Sequence, residues 1–301
     1  MRLFVLSLIL AVSTTSLLLD RAAHPAHANQ DIAAKAQSIL AQARAALGSE
    51  AKWKALQSLT ISGTLRRSLG DRQMEGELQI DLLLPDKIMK SEILSPMAGI
   101  EITRTDVLNG AEVWTQQGSS GGANVVIRGP GNDTPQGREL ANKATRLELL
   151  RYSLALLLST PASAGAEYSF AGEAESPDGK ANVIEVKTDG VALGRLFVDQ
   201  KSNRLLMLSY QGRKPRMVVS QHTAPPSAAE MEKHKQEAEA QANAQGLVEF
   251  QMRFSDYRDE GGVSFPHHIV KSVADEVSEE IQLTKFKINP ALKAEKFVQK
   301  K

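Results

Sequence analysis

The chain has 301 residues, contains no cysteine, and carries 36 Lys and Arg against 35 Asp and Glu, a formal net charge of +1. A disulfide framework, a thiolate metal site, a cysteine nucleophile and a lipidated N-terminal cysteine are all excluded. No basic surplus exists for phosphate recognition, so nucleic acid is not the implied partner, and the length suffices to bury about three quarters of the unfolded surface without staples.

In chain order, Met1-Arg2 precedes an apolar run over 3–19, and Ala26-His27-Ala28 gives the small-x-small pattern of a signal peptidase site. The reading is a signal peptide over 1–28, with Asn29 first in the mature chain, and hence a periplasmic or secreted protein. The competing reading is an uncleaved anchor, since the run approaches the roughly 17–25 residues that cross a bilayer. No later uncharged segment comes near that length. Loss of Arg2, Asp20 and Arg21 balances the mature chain at zero formal charge.

Residues 31–47 place Ile32, Ala36, Ile39, Leu40, Ala43 and Leu47 on one helical face, with Gly48 as C-terminal cap. A second short helical stretch at 50–56 holds Trp53. From Leu59 the period changes to two, clearest in 76–84, where Leu78, Ile80, Leu82 and Leu84 alternate with polar residues. Pro85-Asp86 turns the chain into 87–93, strand patterns follow at 99–108, 112–116 and 123–128, and Asn109-Gly110 signals a hairpin. Residues 137–160 return to helical spacing through Leu140, Ala144, Leu147, Leu150, Leu154 and Leu157, ended by Pro161. The last turns are apolar on all sides, so burial on more than one side is expected.

Alternation resumes at 181–188, 191–199, 204–211 and 216–222. The charged stretch 224–246, opening Ala-Pro-Pro-Ser, reads as a solvated helix or a disordered insertion. Val248, Phe250, Met252 and Phe254 then alternate with polar residues, Gly261-Gly262 turns the strand back into 263–273, and a last strand is expected at 277–287, closed by Asn289-Pro290. About ten strands without long parallel crossovers make the sheet antiparallel. The expected fold is mainly β with flanking α: one domain over 29–301, a large curved antiparallel sheet forming an open half-barrel covered by two amphipathic helices, or equally a sandwich with a helical flank.

Ala43-Arg44-Ala45-Ala46-Leu47-Gly48, Leu84-Pro85-Asp86-Lys87, Phe254-Ser255-Asp256-Tyr257-Arg258, Gly261-Gly262-Val263 with Phe265-Pro266-His267, and Ile288-Asn289-Pro290-Ala291-Leu292 with Phe297 together resemble the LolA/LolB-like family of periplasmic lipoprotein carriers. That resemblance implies an eleven-stranded half-barrel whose apolar concave face, lidded by helices, holds acyl chains. The partner it implies is a lipid or an acylated lipoprotein on its way to the outer membrane. The alternative is a non-enzymatic interaction or sensor module of the envelope, with a closed core.

The candidate ligand pocket is lined by Leu78, Ile80, Leu82, Phe250, Met252 and Phe254 of the sheet and by Leu147, Leu150 and Leu154 of the covering helix, with Trp114 at its mouth. A dry, closed core would use the same residues. Met252 suits an adaptable wall, and Trp114 combines an apolar body with a polar N–H. Asp256, Tyr257, Asp259, Glu260, His267 and His268 gather at one hairpin. Adjacent strand residues face opposite ways, so both histidines could serve one site only across a bulge, and the cluster reads as a solvated hairpin end. The chain has no catalytic, phosphate-binding or dinucleotide motif, and neither a cofactor nor a metal is implied. The 224–246 stretch offers a second kind of partner contact, an envelope protein docking on mixed charge.

Overall fold

The computed structural model describes residues 25–69, 72–97, 99–120, 135–176, 179–213 and 246–299. The expected signal segment lies outside these residues, except that 25–28 begin the first helix. The expected strands 123–128 and 216–222, and the charged stretch apart from Gly246, also lie outside them.

Helix α1 (Pro25–Leu47) buries Ala36, Ile39, Leu40, Ala43 and Leu47, while Ile32, one turn earlier, stays 39% exposed. Gly48 N–H donates to the Arg44 carbonyl at 3.0 Å and closes the helix. Ser49 then starts α2 (Glu50–Ala55) by accepting from the Lys52 N–H. Five strands follow: β1 (Ser58–Leu69), β2 (Arg72–Leu83), β3 (Lys87–Met97), β4 (Ile100–Asn109) and β5 (Glu112–Ser119). After α3 (Pro135–Leu157) come β6 (Ala166–Ser176), β7 (Gly179–Thr188), β8 (Val191–Asp199), β9 (Leu205–Gly212), β10 (Val248–Glu260), β11 (Val263–Val273) and β12 (Glu276–Ile288).

All twelve strands form one antiparallel sheet in the order β5-β4-β3-β2-β1-β12-β11-β10-β9-β8-β7-β6. Strand twist accumulates over so many strands and curls the sheet, yet β5 and β6 remain unjoined edges, so the barrel is half open. The expected hairpin at Asn109-Gly110 forms, with Asn109 opposite Glu112 and Gly110 at φ 62°. The described residues hold twelve strands, where the pattern gave about ten and the resemblance eleven. β6 gave no signal because Ala-Glu-Tyr-Ser-Phe-Ala-Gly-Glu-Ala-Glu-Ser lacks any β-branched residue; it is held by pairing with β7 and by cover from α1.

The helix-covered inner face and the outer face bury different sets. The inner face carries Leu78, Ile80 and Leu82 of β2 and forms one continuous apolar cluster with β1, β8 to β12, α1 and α3. A smaller outer cluster unites Met89 and Val107 with Phe297 of the C-terminal segment, flanked by Leu83, Trp114 and Leu292. That segment is fastened by the Trp114 indole N–H donating to the Phe297 carbonyl (3.1 Å) and by Lys296 on Asp81 (2.7 Å), which also accepts from Thr60.

The seam between the two meanders is β1 against β12, from Leu59 opposite Ile288 to Arg67 opposite Glu279, with a register shift at Ser62/Gly63. Asn289 closes its end: its side-chain oxygen accepts from the Gln57 and Ser58 N–H groups, and its amide donates to the Ala55 carbonyl. At the shift the strands come so close that a Cβ on Gly63 would stand 2.1 Å from the Gln282 carbonyl oxygen. Gly63→Ala is therefore expected to cost about 1–3 kcal/mol in urea unfolding, as overpacking does. Gly246→Ala, with nothing within 4 Å among the described residues, should stay within about 0.5 kcal/mol; equal effects would show that the seam tolerates the methyl group.

Candidate binding cleft and the buried ion network

Leu158, at φ 50°, ends α3 and sends the chain through Pro161 and a short turn, Ala162–Ala164, into β6. Helix α1 lies against this connection. Between them is a cleft of about 450 Å³ lined by Gln37, Leu40, Ala41 and Arg44 of α1 and by residues 158–162, Gly165, Ala166 and Tyr168. The volume falls within the roughly 300–1,000 Å³ of small-molecule sites. Gln37, Ala41 and Arg44 follow one another at helical three-and-four spacing, so they share a stripe. Leu40 and Leu158 belong to the central apolar cluster and give the cleft an apolar floor. Gln37, Arg44, Thr160 and Tyr168 make it polar elsewhere, with the Thr160 and Tyr168 hydroxyls 3.3 Å apart. Burial raises the Tyr168 phenol above its ordinary value, against the smaller opposing pulls of Thr160 and Arg44. The Arg44 guanidinium lies 5.0 Å from the Trp53 ring centre, and that indole N–H donates to the Arg44 carbonyl at 2.9 Å.

The inner face also holds a chain of buried charges. Strand β3 turns Ile88, Lys90, Glu92 and Leu94 inward, and Lys90 and Glu92 are each 3% exposed. The Lys90 ammonium meets Glu92 at 2.9 Å and Glu148 of α3 at 2.5 Å. Glu92 also accepts from Arg67 of β1 (2.9 Å), Arg67 pairs with Glu279 of β12, and Glu279 pairs with Lys271 of β11 (2.7 Å). One turn beyond Glu148, Arg151 donates to the Leu193 carbonyl (2.8 Å) with its guanidinium 3.6 Å from the Tyr210 ring centre. Helix α3 is thus pinned by polar contacts on both sides of the mouth, to β3 and to β8 and β9. The Tyr152 hydroxyl is buried beside this chain without a hydrogen-bond partner among the described residues, and its ring faces Lys271 and Lys90. Burial, outweighing the two ammonium groups, pushes this phenol up to about 12.

Burial alone would raise the Glu148 carboxyl, but Lys90, with Lys271 behind it, prevails and holds it at about 2. Glu92 is likewise held below the usual carboxylate range: burial opposes, and Lys90 and Arg67 overcome it.

The expected pocket residues divide. Leu78, Ile80, Leu82, Leu150, Leu154, Met252 and Phe254 join in the central cluster, with Leu147 half-buried against it. Phe250 is half-buried and stacked on Tyr210, with ring centres 5.0 Å apart. Trp114 stands apart from them, on the outer face against the C-terminal segment. Residues 149–158 are buried throughout, as the apolar end of the helix pattern implied, whereas Leu140 is 68% exposed.

At the hairpin, Asp256 of β10 sits at φ 54°, but the register runs on unshifted across it, Ser255 opposite His268 and Tyr257 opposite Pro266. The two histidines accordingly face apart. His267 is buried against Phe286, 3.1 Å from Glu260, and His268 lies between Ser255 (3.2 Å) and Glu280 (2.9 Å) as a cross-strand contact. Among the described residues no group of three or more His, Asp or Glu side chains could hold a metal ion, and no helix is long and apolar enough to cross a membrane. The cleft and the ion chain were not anticipated. Lys90 and Glu92 carried the available signal, two charges at the inward parity of a strand whose other inward residues are Ile88 and Leu94.

The architecture is that of an open, helix-covered antiparallel half-barrel. Among solved structures the chain is similar to an outer membrane lipoprotein-sorting protein domain from Vibrio parahaemolyticus, at 11% identity and TM-score 0.47, covering 88% of this chain and 97% of that one. It is similar also to a LolA superfamily protein from Nitrosomonas europaea (11%, 0.44, covering 88% and 97%) and to a DUF1329 family protein from Desulfovibrio piger (10%, 0.47, covering 89% and 97%). The first two carry the lipoprotein-sorting and LolA names of the family that the sequence resembles. No family model matches the chain, and no curated protein matches its sequence. What this chain binds has to come from its own residues.

Because the folded-state values of Glu148 and Glu92 lie below the ordinary 4.5, their stabilisation is complete above that value and is lost as pH falls through the folded values. The gap in thermal midpoint between the native chain and Glu148→Gln is therefore expected to be widest near neutrality and to shrink from about pH 4.5 towards pH 2, read by circular dichroism. A gap constant over that range would show that Glu148 is not held as the ion.

Proposed function

We propose that the protein is an exported, periplasmic binding protein without catalytic activity, which takes up a lipid or the acyl chains of a lipoprotein for transport or sorting to the outer membrane. The supporting observation is the cleft between α1 and the 158–166 connection, whose floor of Leu40 and Leu158 opens onto the central apolar cluster. An acyl chain entering there gains about 0.8 kcal/mol per buried methylene and needs no polar motif along its length. Leu150 and Leu154 are fully buried against the sheet, so the cleft, rather than the middle of the inner face, is the way in. The α1 side is the yielding wall, since α3 is tied by ion pairs and α1 by its apolar stripe.

The second reading, an envelope interaction or sensor module with a closed core, is favoured by the filled inner face and its buried ion chain. Native mass spectrometry of the protein purified from the periplasm, followed by organic extraction, separates the two. An acyl species should accompany the native chain and be absent from Ala41→Trp, which fills the cleft from an exposed small residue and should leave the thermal midpoint unchanged. A bare polypeptide mass, with no uptake of added lipid, ends the carrier reading and leaves the module.

A further inference from the structure

We propose that the cleft selects a single-chain amphiphile with an anionic head, a carboxylate or phosphate, and that Arg44 holds that head; this rests on the acyl-binding reading. Among the described residues, Arg44 is the one charged side chain lining the cleft. A guanidinium offers five N–H donors in a planar fork, and among the described residues no ion pair or side-chain hydrogen bond engages that of Arg44. The other inward-facing arginines differ: Arg67 is satisfied by two carboxylates, Arg104 by Asp106, and Arg151 by a carbonyl and a ring.

An arginine in the last turn of α1 also suits the helix dipole, but that role needs neither a cavity nor fixed geometry. Arg44 has both. Its backbone carbonyl receives the Trp53 indole N–H and its guanidinium lies over the same ring, so little rotamer freedom remains to be lost on binding. Gln37 and Thr160 supply further hydrogen-bond donors on the same cleft walls, as a two-oxygen head requires. Below them, Leu40 and Leu158 accept the chain. A neutral head of the same length would cover the guanidinium without pairing it, and a desolvated unpaired charge opposes binding. The cleft therefore discriminates by head charge at constant chain length.

The test measures binding of hexadecanoate, the neutral monoglyceride of the same acyl chain, and inorganic phosphate by calorimetry, with thermal melts as the control on folding. The native chain should favour hexadecanoate over the monoglyceride by about ten-fold or more, the scale of one charge-assisted contact. Arg44→Gln should erase that preference by weakening hexadecanoate alone, and Arg44→Lys, which keeps the charge over a similar reach, should retain part of it. Ala41→Trp should lose both amphiphiles. Equal binding of the two amphiphiles, unaffected by Arg44→Gln, overturns the anionic head while leaving the acyl-binding reading intact. Phosphate binding as tight as hexadecanoate and equally dependent on Arg44 overturns the amphiphile in favour of a free anion. Survival of both amphiphiles in Ala41→Trp removes the cleft itself.

Discussion

The pairing of β1 with β12 makes one molecule out of two meanders. Strands β1 to β5 and β6 to β12 would each be an ordinary antiparallel ribbon. Joined at this seam they place β5 and β6 at opposite edges of a twelve-stranded sheet. The segment between those edges must then travel from one side of the curl to the other, and α3 is the described helix within it, touching β3, β4 and β5 on one side and β8 and β9 on the other. The same seam brings Arg67 beside Glu279 and completes the ion chain from β3 to β11. The close approach at Gly63 and the several hydrogen bonds of Asn289 are what the register of that seam demands.

Apolar side chains of similar volume would hold α3 at least as tightly as Glu148 and Lys90 do, since desolvation consumes much of what a buried ion pair gains. What the charges add is position. A stripe of leucines tolerates a slide or rotation of the helix, whereas Glu148 on one wall and Arg151 on the other meet their partners at one setting. Tyr152, beside Lys90 and Lys271, carries the cost: its hydroxyl is buried and, among the described residues, unpaired. Helix α1 has no such fixation. Apart from Lys35 above the Phe170 ring and Arg44 against Trp53, its buried contacts among the described residues are Ala36, Ile39, Leu40, Ala43 and Leu47, and contacts of that kind have no preferred direction.

Periodicity made most of the sheet legible in the sequence, because a strand with one buried face has to alternate: Leu78, Ile80 and Leu82, and Met252 and Phe254, were read at the correct parity. Where burial falls on both faces, parity loses its meaning. Val107 and Leu108 are adjacent and both fully buried, one beneath the C-terminal segment and one in the central cluster, and Trp114 followed Val107 to the outer side. Nothing in the sequence around Trp114 announces Phe297, which arrives from 183 residues away. The helical stripe of α3 was right at Leu150, Leu154 and Leu157 and wrong at Leu140, since a pattern cannot say where along a helix its support ends. Lys90 and Glu92 were legible only as an irregularity, for their partners come from α3, β1 and, through Arg67, β12.

The cleft lies where these two kinds of restraint meet. One wall follows directly from α3, whose setting is fixed by charge; the other belongs to α1, whose setting rests mainly on apolar contact, without an ion pair to the sheet among the described residues. Widening the cleft by moving α3 would break Glu148 from Lys90 and strip the buried Arg151 of the Leu193 carbonyl. Widening it by moving α1 exposes apolar surface that an incoming acyl chain would cover again, so the ligand returns part of what the motion costs. The energetics of the two helices thus assign them different roles, α3 as frame and α1 as the adjustable cover. Arg44, on the cover but braced by Trp53, would then meet a ligand's head at the same place that Leu40 would meet its chain.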